Sequence, residues 1–158
     1  MKIGVMSDTH LRNPDQLLER ILTEVFIDTD IILHAGDIVT RRVLDRLEES
    51  DVLAVCGNMD DSEISSSIPQ VRVIPAAGMR IGLIHGWGSR IGLAQRILDR
   101  FYDSKLDLVV YGHSHEPFWG KVNGVRMFNP GSATSRGTIG ILEITDGRID
   151  AQILPVPV

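Results

Sequence analysis

Cysteine is nearly absent from this chain of 158 residues, which has a single one, Cys56. One cysteine excludes an intrachain disulfide and a cluster of thiolate metal ligands, and it fits a reducing compartment. No apolar run is long enough to span a bilayer. The first residues, MKIGVMSDTH, lack the apolar core and the cleavage site of a signal peptide. We therefore expect a cytoplasmic protein that does not enter a membrane.

Positive charge is also in short supply. The chain has 16 Lys and Arg against 21 Asp and Glu, which gives a formal charge of −5 and a pI near 5.5. This balance argues against an extended basic surface for nucleic acid, so a phosphorylated ligand would need local positive charge such as bound metal. The length of the chain and its hydrophobic share of 43% predict one globular domain over residues 1–158.

Short apolar segments of strand length recur along the chain, and amphipathic segments separate several of them. The predicted strands are 2–6, 30–34, 51–55, 71–75, 79–84 and 106–111. Helical spacing predicts helices within 15–26, 40–50 and 89–102, and their apolar stripes, including Ile91, should pack on the core. Asn13-Pro14 and Thr40 are the expected helix starts. This alternation is typical of an α/β protein.

The last third of the chain predicts antiparallel hairpins. Asn123-Gly124 separates 118–122 from 125–129, and Asp146-Gly147 interrupts the run 138–154. Both dipeptides are favoured two-residue hairpin turns. Exposed edges of these hairpins could pair two copies of the chain as a homodimer. The polar segment 60–70 is expected to be a flexible loop.

Polar residues able to bind metal follow five of the predicted strands. In chain order they are Asp8, His10, Asp37, Asn58, His85, His113 and His115. Because ligands of open α/β sheets collect at the carboxyl ends of strands, we expect these side chains to converge. Their carboxylate, amide and imidazole donors suit Mn²⁺, iron, Zn²⁺ or Mg²⁺, and seven ligands exceed the needs of one ion. The set is typical of a two-metal hydrolytic site.

Each of these motifs alone is a weak signal, because such residues after a strand usually form an ordinary turn or cap. However, four of the five histidines lie at predicted strand ends, and this coincidence favours a site. The fifth, His34, lies inside a strand. We expect it to be a core residue or one that orients the loop carrying Asp37.

The motifs DTH (8–10), GD (36–37), GNMD (57–60), HG (85–86) and GHSH (112–115) resemble, in this order, those of the calcineurin-like metallophosphoesterases. The resemblance covers nearly the whole chain and is strongest to small single-domain bacterial and archaeal phosphodiesterases. It implies a four-layer α/β/β/α sandwich of two mixed β-sheets flanked by helices. It also implies two divalent ions per chain, Mn²⁺ first, with Ni²⁺, Zn²⁺, iron or Mg²⁺ as alternatives.

The same resemblance assigns the ligands. One ion would be held by Asp8, His10, Asp37 and His115, and the other by Asp37, Asn58, His85 and His113, with Asp37 as the bridge. The implied reaction is hydrolysis of a small phosphoester by in-line attack of a metal-bridging hydroxide. Asp37 and Asn58 are the expected catalytic residues, since the Asn58 amide could also donate to a phosphate oxygen.

Two positions depart from the family pattern. Met59 stands where much of the superfamily has a histidine that helps the leaving group, and methionine cannot transfer a proton. Either water or His34 serves instead, or only substrates with good leaving groups react quickly. Trp87 follows the HG motif where relatives often have a histidine; it is either a partly buried aromatic or a platform for a base or aryl group. Arg136 and Arg90 could contact the substrate.

Two alternatives from other functional classes stay open. The retromer complex uses a subunit of this fold as a protein-binding scaffold, and a metal-binding regulatory module is also compatible with the motifs. A scaffold has no need of seven intact ligands, so the complete set favours an enzyme acting on a small phosphoester.

Overall fold

The computed structural model describes residues 1–157, so the predicted domain ends one residue beyond the described chain. The strands are β1 (Lys2–Met6), β2 (Ile31–His34), β3 (Val52–Ala54), β4 (Val71–Ala76), β5 (Met79–Ile84), β6 (Leu108–Tyr111), β7 (Phe118–Val122), β8 (Val125–Asn129), β9 (Thr138–Thr145) and β10 (Arg148–Pro155). The helices are α1 (Gln16–Arg20), which continues as a π-helical turn (Ile21–Val25), α2 (Arg41–Glu48), α3 (Ser62–Ser67) and α4 (Leu93–Arg100).

The strands form two mixed five-stranded sheets, in the orders β10-β9-β1-β2-β3 and β4-β5-β6-β8-β7. In the first sheet β1, β2 and β3 are parallel, and β9 runs antiparallel to both β1 and β10. In the second sheet β5, β6 and β8 are parallel, with β4 and β7 antiparallel at the two edges. In each sheet, the carboxyl ends of the three parallel strands therefore lie side by side.

Three apolar layers hold the sheets and helices together. Side chains such as Ile3, Leu83 and Val110 pack between the two sheets. The outer face of the first sheet packs against the helices that precede β4, and Val109 on the outer face of the second sheet packs against α4. Adjacent residues of a strand point to opposite faces, so each sheet can fill two layers at once. The predicted α/β/β/α sandwich of two mixed sheets flanked by helices is confirmed.

The first two helices differ slightly from prediction at their starts. Asp15, not Asn13-Pro14, caps α1, because its carboxylate accepts a hydrogen bond of 2.8 Å from the backbone N–H of Leu18. Thr40 occupies the N-cap position of α2 as predicted. Its hydroxyl, however, donates to the carbonyl oxygen of Arg12 and does not cap the helix.

Two predictions are wrong. The segment 60–70 is not a loop throughout, because residues 62–67 form α3, which is capped by Asp61 and anchored by the buried Ile64. The helix predicted within 89–102 begins only at Leu93, because Gly92 adopts a left-handed conformation with φ of 72°. Ile91 therefore lies before the helix and is 88% exposed instead of packing on the core.

The predicted hairpins are both present. Asn123-Gly124 joins β7 to β8 and Asp146-Gly147 joins β9 to β10, and all four turn residues have positive φ, as the predicted turn type requires. Among residues 1–157, no helix has the length and apolar character needed to traverse a membrane. The homodimer stays a prediction.

Candidate metal centre

The predicted metal-binding side chains lie together where parallel strands of both sheets end. Asp8 and Asp37 follow β1 and β2 of the first sheet, and His85 follows β5 of the second. All three are buried, with exposed fractions of 2% or less, whereas His115 and Asn58 face solvent. The site thus has a buried floor of carboxylates and imidazole and a rim that a ligand can reach.

The backbone at this site adopts an unusual conformation. Among residues 1–157, ten non-glycine residues have positive φ, and five of them are predicted ligands: Asp8, His10, Asp37, His113 and His115. Such angles occur in only a few per cent of non-glycine residues. Hydrogen bonds between neighbouring loops hold them, for example from the N–H of Asp8 to the carbonyl oxygen of Gly36, at 2.9 Å. Backbone outliers that the surrounding structure enforces point to a functional site.

A glycine lets the loop carrying the last two histidines approach the floor. A side chain at Gly112 would collide with the Ser7 hydroxyl and with Asp8 Oδ2. The next residue, His113, donates its backbone N–H to Asp8 Oδ2 over 3.1 Å. The GHSH motif therefore needs its glycine for close packing as well as its histidines for chemistry.

Asp8, His10 and His115 form one compact group of donor atoms. Asp8 Oδ1 lies 3.2 Å from His115 Nε2 and 3.8 Å from His10 Nε2, and the two Nε2 atoms are 3.2 Å apart. Three donors at such distances can share one ion.

Asp8, Asp37 and His85 form the second compact group. His85 Nε2 lies 3.3 Å from Asp37 Oδ2 and 3.9 Å from Asp8 Oδ1. The two groups therefore share Asp8, whereas the family resemblance implied Asp37 as the bridge. Asp37 Oδ2 also lies 3.9 Å from His10 Nε2, so this oxygen is close to both groups as well.

Two buried atoms at the centre have no hydrogen-bond partner, namely Asp8 Oδ1 and His85 Nε2. The second oxygen of Asp8 accepts from the Ser7 hydroxyl, and His85 Nδ1 donates to the carbonyl oxygen of Ala35 over 2.7 Å. His85 Nε2 therefore presents a lone pair, and although Asp37 Oδ2 is near, the two do not form a well-aligned hydrogen bond. Burying an unpaired polar atom is costly. A cation between these atoms would remove that cost.

Electrostatics at the floor are dominated by the pair of Asp37 and His85. Burial acts to raise the pKa of Asp37, but the nearby His85 imidazole, followed by the Met59 N–H, lowers it below its ordinary value. Burial acts to lower the pKa of His85, yet the carboxylates of Asp37 and Asp8 raise it above its ordinary value. The carboxylates thus create a field that favours positive charge.

His113 and Asn58 present two further donor atoms. His113 Nε2 lies 2.7 Å from the carbonyl oxygen of Gly88 and, in the tautomer that donates to it, leaves a lone pair on Nδ1. That atom lies 3.0 Å from Asn58 Oδ1, which is also an acceptor. The His113 ring packs edge-on against His85, with 5.2 Å between ring centroids. The structure thus brings all seven predicted residues into one region.

Asp60 has a role that the sequence did not reveal. Its carboxylate accepts from the N–H of Val39 and from the N–H of Gly57, each at 2.6 Å. Burial raises the pKa of this carboxyl above its ordinary value. Asp60 therefore ties the loop of Asp37 to the loop of Asn58. Its place in the GNMD motif was the only signal in the sequence.

His34 is fully buried in β2 and combines the two roles expected for it. Its Nδ1 accepts from the N–H of Gly36 at 3.1 Å, and its Nε2 lies 3.2 Å from the hydroxyl of Thr9. Burial, followed by the nearby His85, lowers its pKa to about 3. His34 is therefore a neutral core residue that fixes the loop before Asp37.

Two cavities border the centre. One, of about 280 Å³, is lined by Asn58, His85 and Trp87, and Trp87 is 44% exposed. The other, of about 350 Å³, is lined by His10, His115 and Arg136 among others. Both proposed substrate residues, Trp87 and Arg136, thus border the centre.

Arg90, by contrast, forms an exposed ion pair of 3.0 Å with Glu116. Sequence reasoning missed Arg96, whose guanidinium donates to the carbonyl oxygens of Trp87, at 3.0 Å, of Ser89, and of Ile91, at 2.8 Å. Arg96 thereby pins the loop of residues 87–91. A lone arginine in an amphipathic helix gives no signal for such contacts.

Comparison with known proteins finds similarity along nearly the whole chain. The family model described as a calcineurin-like phosphoesterase superfamily domain matches residues 1–147. A probable metallophosphoesterase of Methanothermobacter thermautotrophicus is 32% identical over 159 residues, covering 98% of this chain and 92% of its own. The phosphodiesterase MJ0936 of Methanocaldococcus jannaschii is 31% identical, covering 90% and 93% of the two chains.

Solved structures give the same result for the fold. A Thermotoga maritima protein determined by solution NMR superposes with a TM-score of 0.75 at 28% identity, covering 98% of each chain. Vps29 of Entamoeba histolytica, solved in complex with Zn²⁺, superposes with a TM-score of 0.69 at 25% identity, covering 99% of this chain and 100% of its own.

Proposed function

This chain belongs to the calcineurin-like phosphoesterase superfamily, and we propose that it hydrolyses a small phosphodiester with two bound divalent ions, Mn²⁺ first. The proposal rests on one observation above all: Asp8 Oδ1 and His85 Nε2 are buried without hydrogen-bond partners amid nitrogen and oxygen donors. Hydrolytic two-metal centres are built from such donors. The phosphodiesterase name of the Methanocaldococcus jannaschii relative supports a diester substrate.

The two compact groups of donor atoms support the proposal of two ions. One would be held by Asp8, His10, Asp37 and His115, and the other by Asp37, Asn58, His85 and His113, with Asp37 as the bridge. The position of Asp37 Oδ2, 3.9 Å from His10 Nε2 and 3.3 Å from His85 Nε2, supports a bridging role. When bound, such ions neutralise charge on phosphoryl oxygens and make water acidic enough to supply hydroxide for in-line attack.

The protein's own contribution is to hold its donors in place before substrate arrives. Asp37 Oδ1 accepts from the Met59 N–H at 2.8 Å, which turns Oδ2 toward the centre. Asn58 presents Oδ1 beside His113, so its amide N–H₂ can donate to a phosphoryl oxygen. A donor in this position would stabilise negative charge that develops on the phosphoryl group in the transition state.

Proton delivery to the leaving group falls to water. The side chain of Met59 is 58% exposed at this site but carries no acidic proton. His34 is fully buried and both of its ring nitrogens already face protein partners, which argues against it as the acid. We therefore expect esters with good leaving groups to react fastest.

The test is hydrolysis of bis-p-nitrophenyl phosphate and of the corresponding monoester by metal-stripped protein. Mn²⁺, Ni²⁺, Zn²⁺ and Mg²⁺ are added back in turn, with Asp37→Asn as the inactive variant and Asp61→Asn as the matched control. Metal-dependent release from the diester that disappears only in Asp37→Asn is the expected result. No release from either ester with any of the metals would overturn the proposal.

A second candidate follows from the likeness to the Zn²⁺-bound Vps29 structure. In that case the chain would be a scaffold or regulatory module that binds metal without turnover. Elemental analysis of the protein used in the assay separates the two candidates. Two ions per chain without hydrolysis of either ester would favour the scaffold, whereas hydrolysis that follows metal content excludes it.

A further inference from the structure

We propose that the cavity bordered by Asn58, His85, Trp87 and Arg100 selects a diester whose non-leaving group is a nucleoside carrying a second phosphate. This inference rests on the proposed function and names its substrate class. Trp87 would stack on the base, and Arg100 would bind the second phosphate.

The cavity is the right size and in the right place for one nucleoside. Its volume is about 280 Å³, close to the lower end of the roughly 300–1,000 Å³ typical of small-molecule sites. Asn58 and His85 form part of its wall, so one substrate molecule could place its nucleoside in the cavity and its phosphate at the metal centre. Together with a net charge of −5, which repels polyanions, this volume favours a small molecule over a nucleic-acid chain.

Trp87 offers a flat apolar face on a loop whose backbone is held in position. The residue is 44% exposed, and the guanidinium of Arg96 binds three carbonyl oxygens of its loop. The neighbouring Gly88 carbonyl accepts from His113, so the same loop also orients a metal ligand. An exposed aromatic on a fixed loop can stack on a base while losing little conformational freedom.

Arg100 supplies uncommitted positive charge at the same cavity. It is exposed at the end of α4, and its guanidinium forms no hydrogen bond or ion pair with any of residues 1–157. Arg41, Arg46 and Arg90 each pair with a carboxylate instead. None of the described residues that line the cavity is a carboxylate. A free guanidinium binds phosphate through two parallel hydrogen bonds.

The rest of the lining fits a base and its sugar. Cys56, Val71 and Ile84 make much of the cavity wall apolar, and the exposed Gln70 places an amide at its border. An amide can both donate to and accept from the polar edge of a base. An apolar lining with a few polar groups is typical of sites for small cofactors and nucleotides.

A matched pair of chromogenic diesters tests the assignment. These are the p-nitrophenyl ester of thymidine 5′-phosphate and the same ester with an added 3′-phosphate. In wild-type protein we expect the 3′-phosphate to raise kcat/KM about tenfold, mainly by lowering KM, as one charge-assisted contact can do. Arg100→Gln should abolish this advantage, so that the two thymidine esters react with equal kcat/KM. Trp87→Leu should lower kcat/KM for both thymidine esters.

Arg148→Gln is the control. Arg148 is an exposed arginine at the turn end of the β9–β10 hairpin, whereas Gly137 and Thr138, which line the other cavity, lie at the opposite end. Equal rates for the two thymidine esters in wild-type protein would overturn the inference. So would loss of the advantage in Arg148→Gln, since the effect would then come from overall charge.

Calorimetric binding of thymidine 3′,5′-bisphosphate and of thymidine 5′-phosphate tests the same cavity without turnover. The bisphosphate should bind about tenfold more tightly to wild-type protein and equally to Arg100→Gln. Absence of hydrolysis would overturn the proposed enzyme, whereas equal binding of the two nucleotides to wild-type protein would overturn the nucleotide cavity.

Discussion

Substitution of Asp60 tests how much the positioning of the metal-binding loops contributes to activity, because Asp60 is not itself a predicted metal ligand. Its two oxygens accept from Val39 N–H and Gly57 N–H. In Asp60→Asn, one oxygen becomes an amide N–H₂ that faces another N–H and cannot accept. We expect metal-dependent diesterase activity to fall about 10–100-fold, as for other residues that orient metal ligands. The free energy of unfolding, measured by urea denaturation, should fall by about 1–3 kcal/mol.

The neighbouring substitution Asp61→Asn provides the control. Asp61 caps α3 through its side chain, and asparagine is an equally good N-cap. Activity and unfolding free energy should therefore stay close to wild type. If Asp60→Asn kept full activity at every metal concentration, the tie between the two loops would not matter for the site.

His34 should make the protein sensitive to acid. Burial, followed by the charge of His85, lowers its pKa to about 3 from 6.5. As the pH falls through 6.5, His34 binds a proton in the unfolded chain. In the folded protein the same side chain stays neutral until about pH 3. Stability should therefore decrease across this range, by up to roughly 1.4 kcal/mol per pH unit. Urea denaturation of metal-free protein at several pH values measures the slope.

His34→Asn isolates that contribution. The asparagine oxygen can accept from Gly36 N–H in place of Nδ1, but it does not titrate. We expect the variant to be less stable than wild type near pH 8, because the Thr9 contact is lost, and to lose stability less steeply between pH 6.5 and 4. Parallel curves for the two proteins would show that His34 is not the origin of the acid sensitivity.

At this site the sequence predicted the metal-binding residues but not the residues that position them. Ligand types at strand ends were recognisable because chemistry restricts which residues bind metal. The roles of Asp60 and Arg96 were not, since both act through backbone groups of loops that only the fold brings near. Positive φ at His113 and His115 depends on the same packing.

At the scale of elements, the sequence predicted the apolar strands and the hairpin turns correctly. Dipeptides such as Asn123-Gly124 act through local backbone preference, so the sequence alone predicts them. The helix α3 was missed because its sequence, SEISSS, has weak helix propensity and is too short to be stable alone. Its stability comes from the Asp61 cap and from tertiary burial of Ile64. Similarly, the late start of α4 depends on the conformation of Gly92.

Burial of Ile64 therefore predicts the stability of α3. This side chain is fully buried against the first sheet's helical layer. We expect Ile64→Ala to lower the free energy of unfolding by about 2–5 kcal/mol, because it leaves a cavity in a packed core. Ser66→Ala, on the exposed side of the same helix, should change it by no more than about 0.5 kcal/mol. Urea denaturation with an unchanged m-value would attribute the loss to the folded state.

At the scale of the whole molecule, the site joins the two sheets. The segments that follow strands of the first sheet supply Asp8, His10, Asp37 and Asn58, and those that follow strands of the second supply His85, His113 and His115. Sequence order identified the set, but not this division between sheets. Bound metal would therefore act as a clamp across the apolar layer between them.

The clamp predicts that metal stabilises the entire fold. A ligand at 100 times its Kd raises the free energy of unfolding by about 2.7 kcal/mol, which for a chain of this length corresponds to a rise in Tm of roughly 5–10 °C. Calorimetry of metal-stripped protein with and without Mn²⁺ measures the shift. Asp37→Asn should lose most of it, because the residue proposed to bind both ions then has no carboxylate. An equal shift in Asp37→Asn and wild type would place Mn²⁺ elsewhere on the molecule.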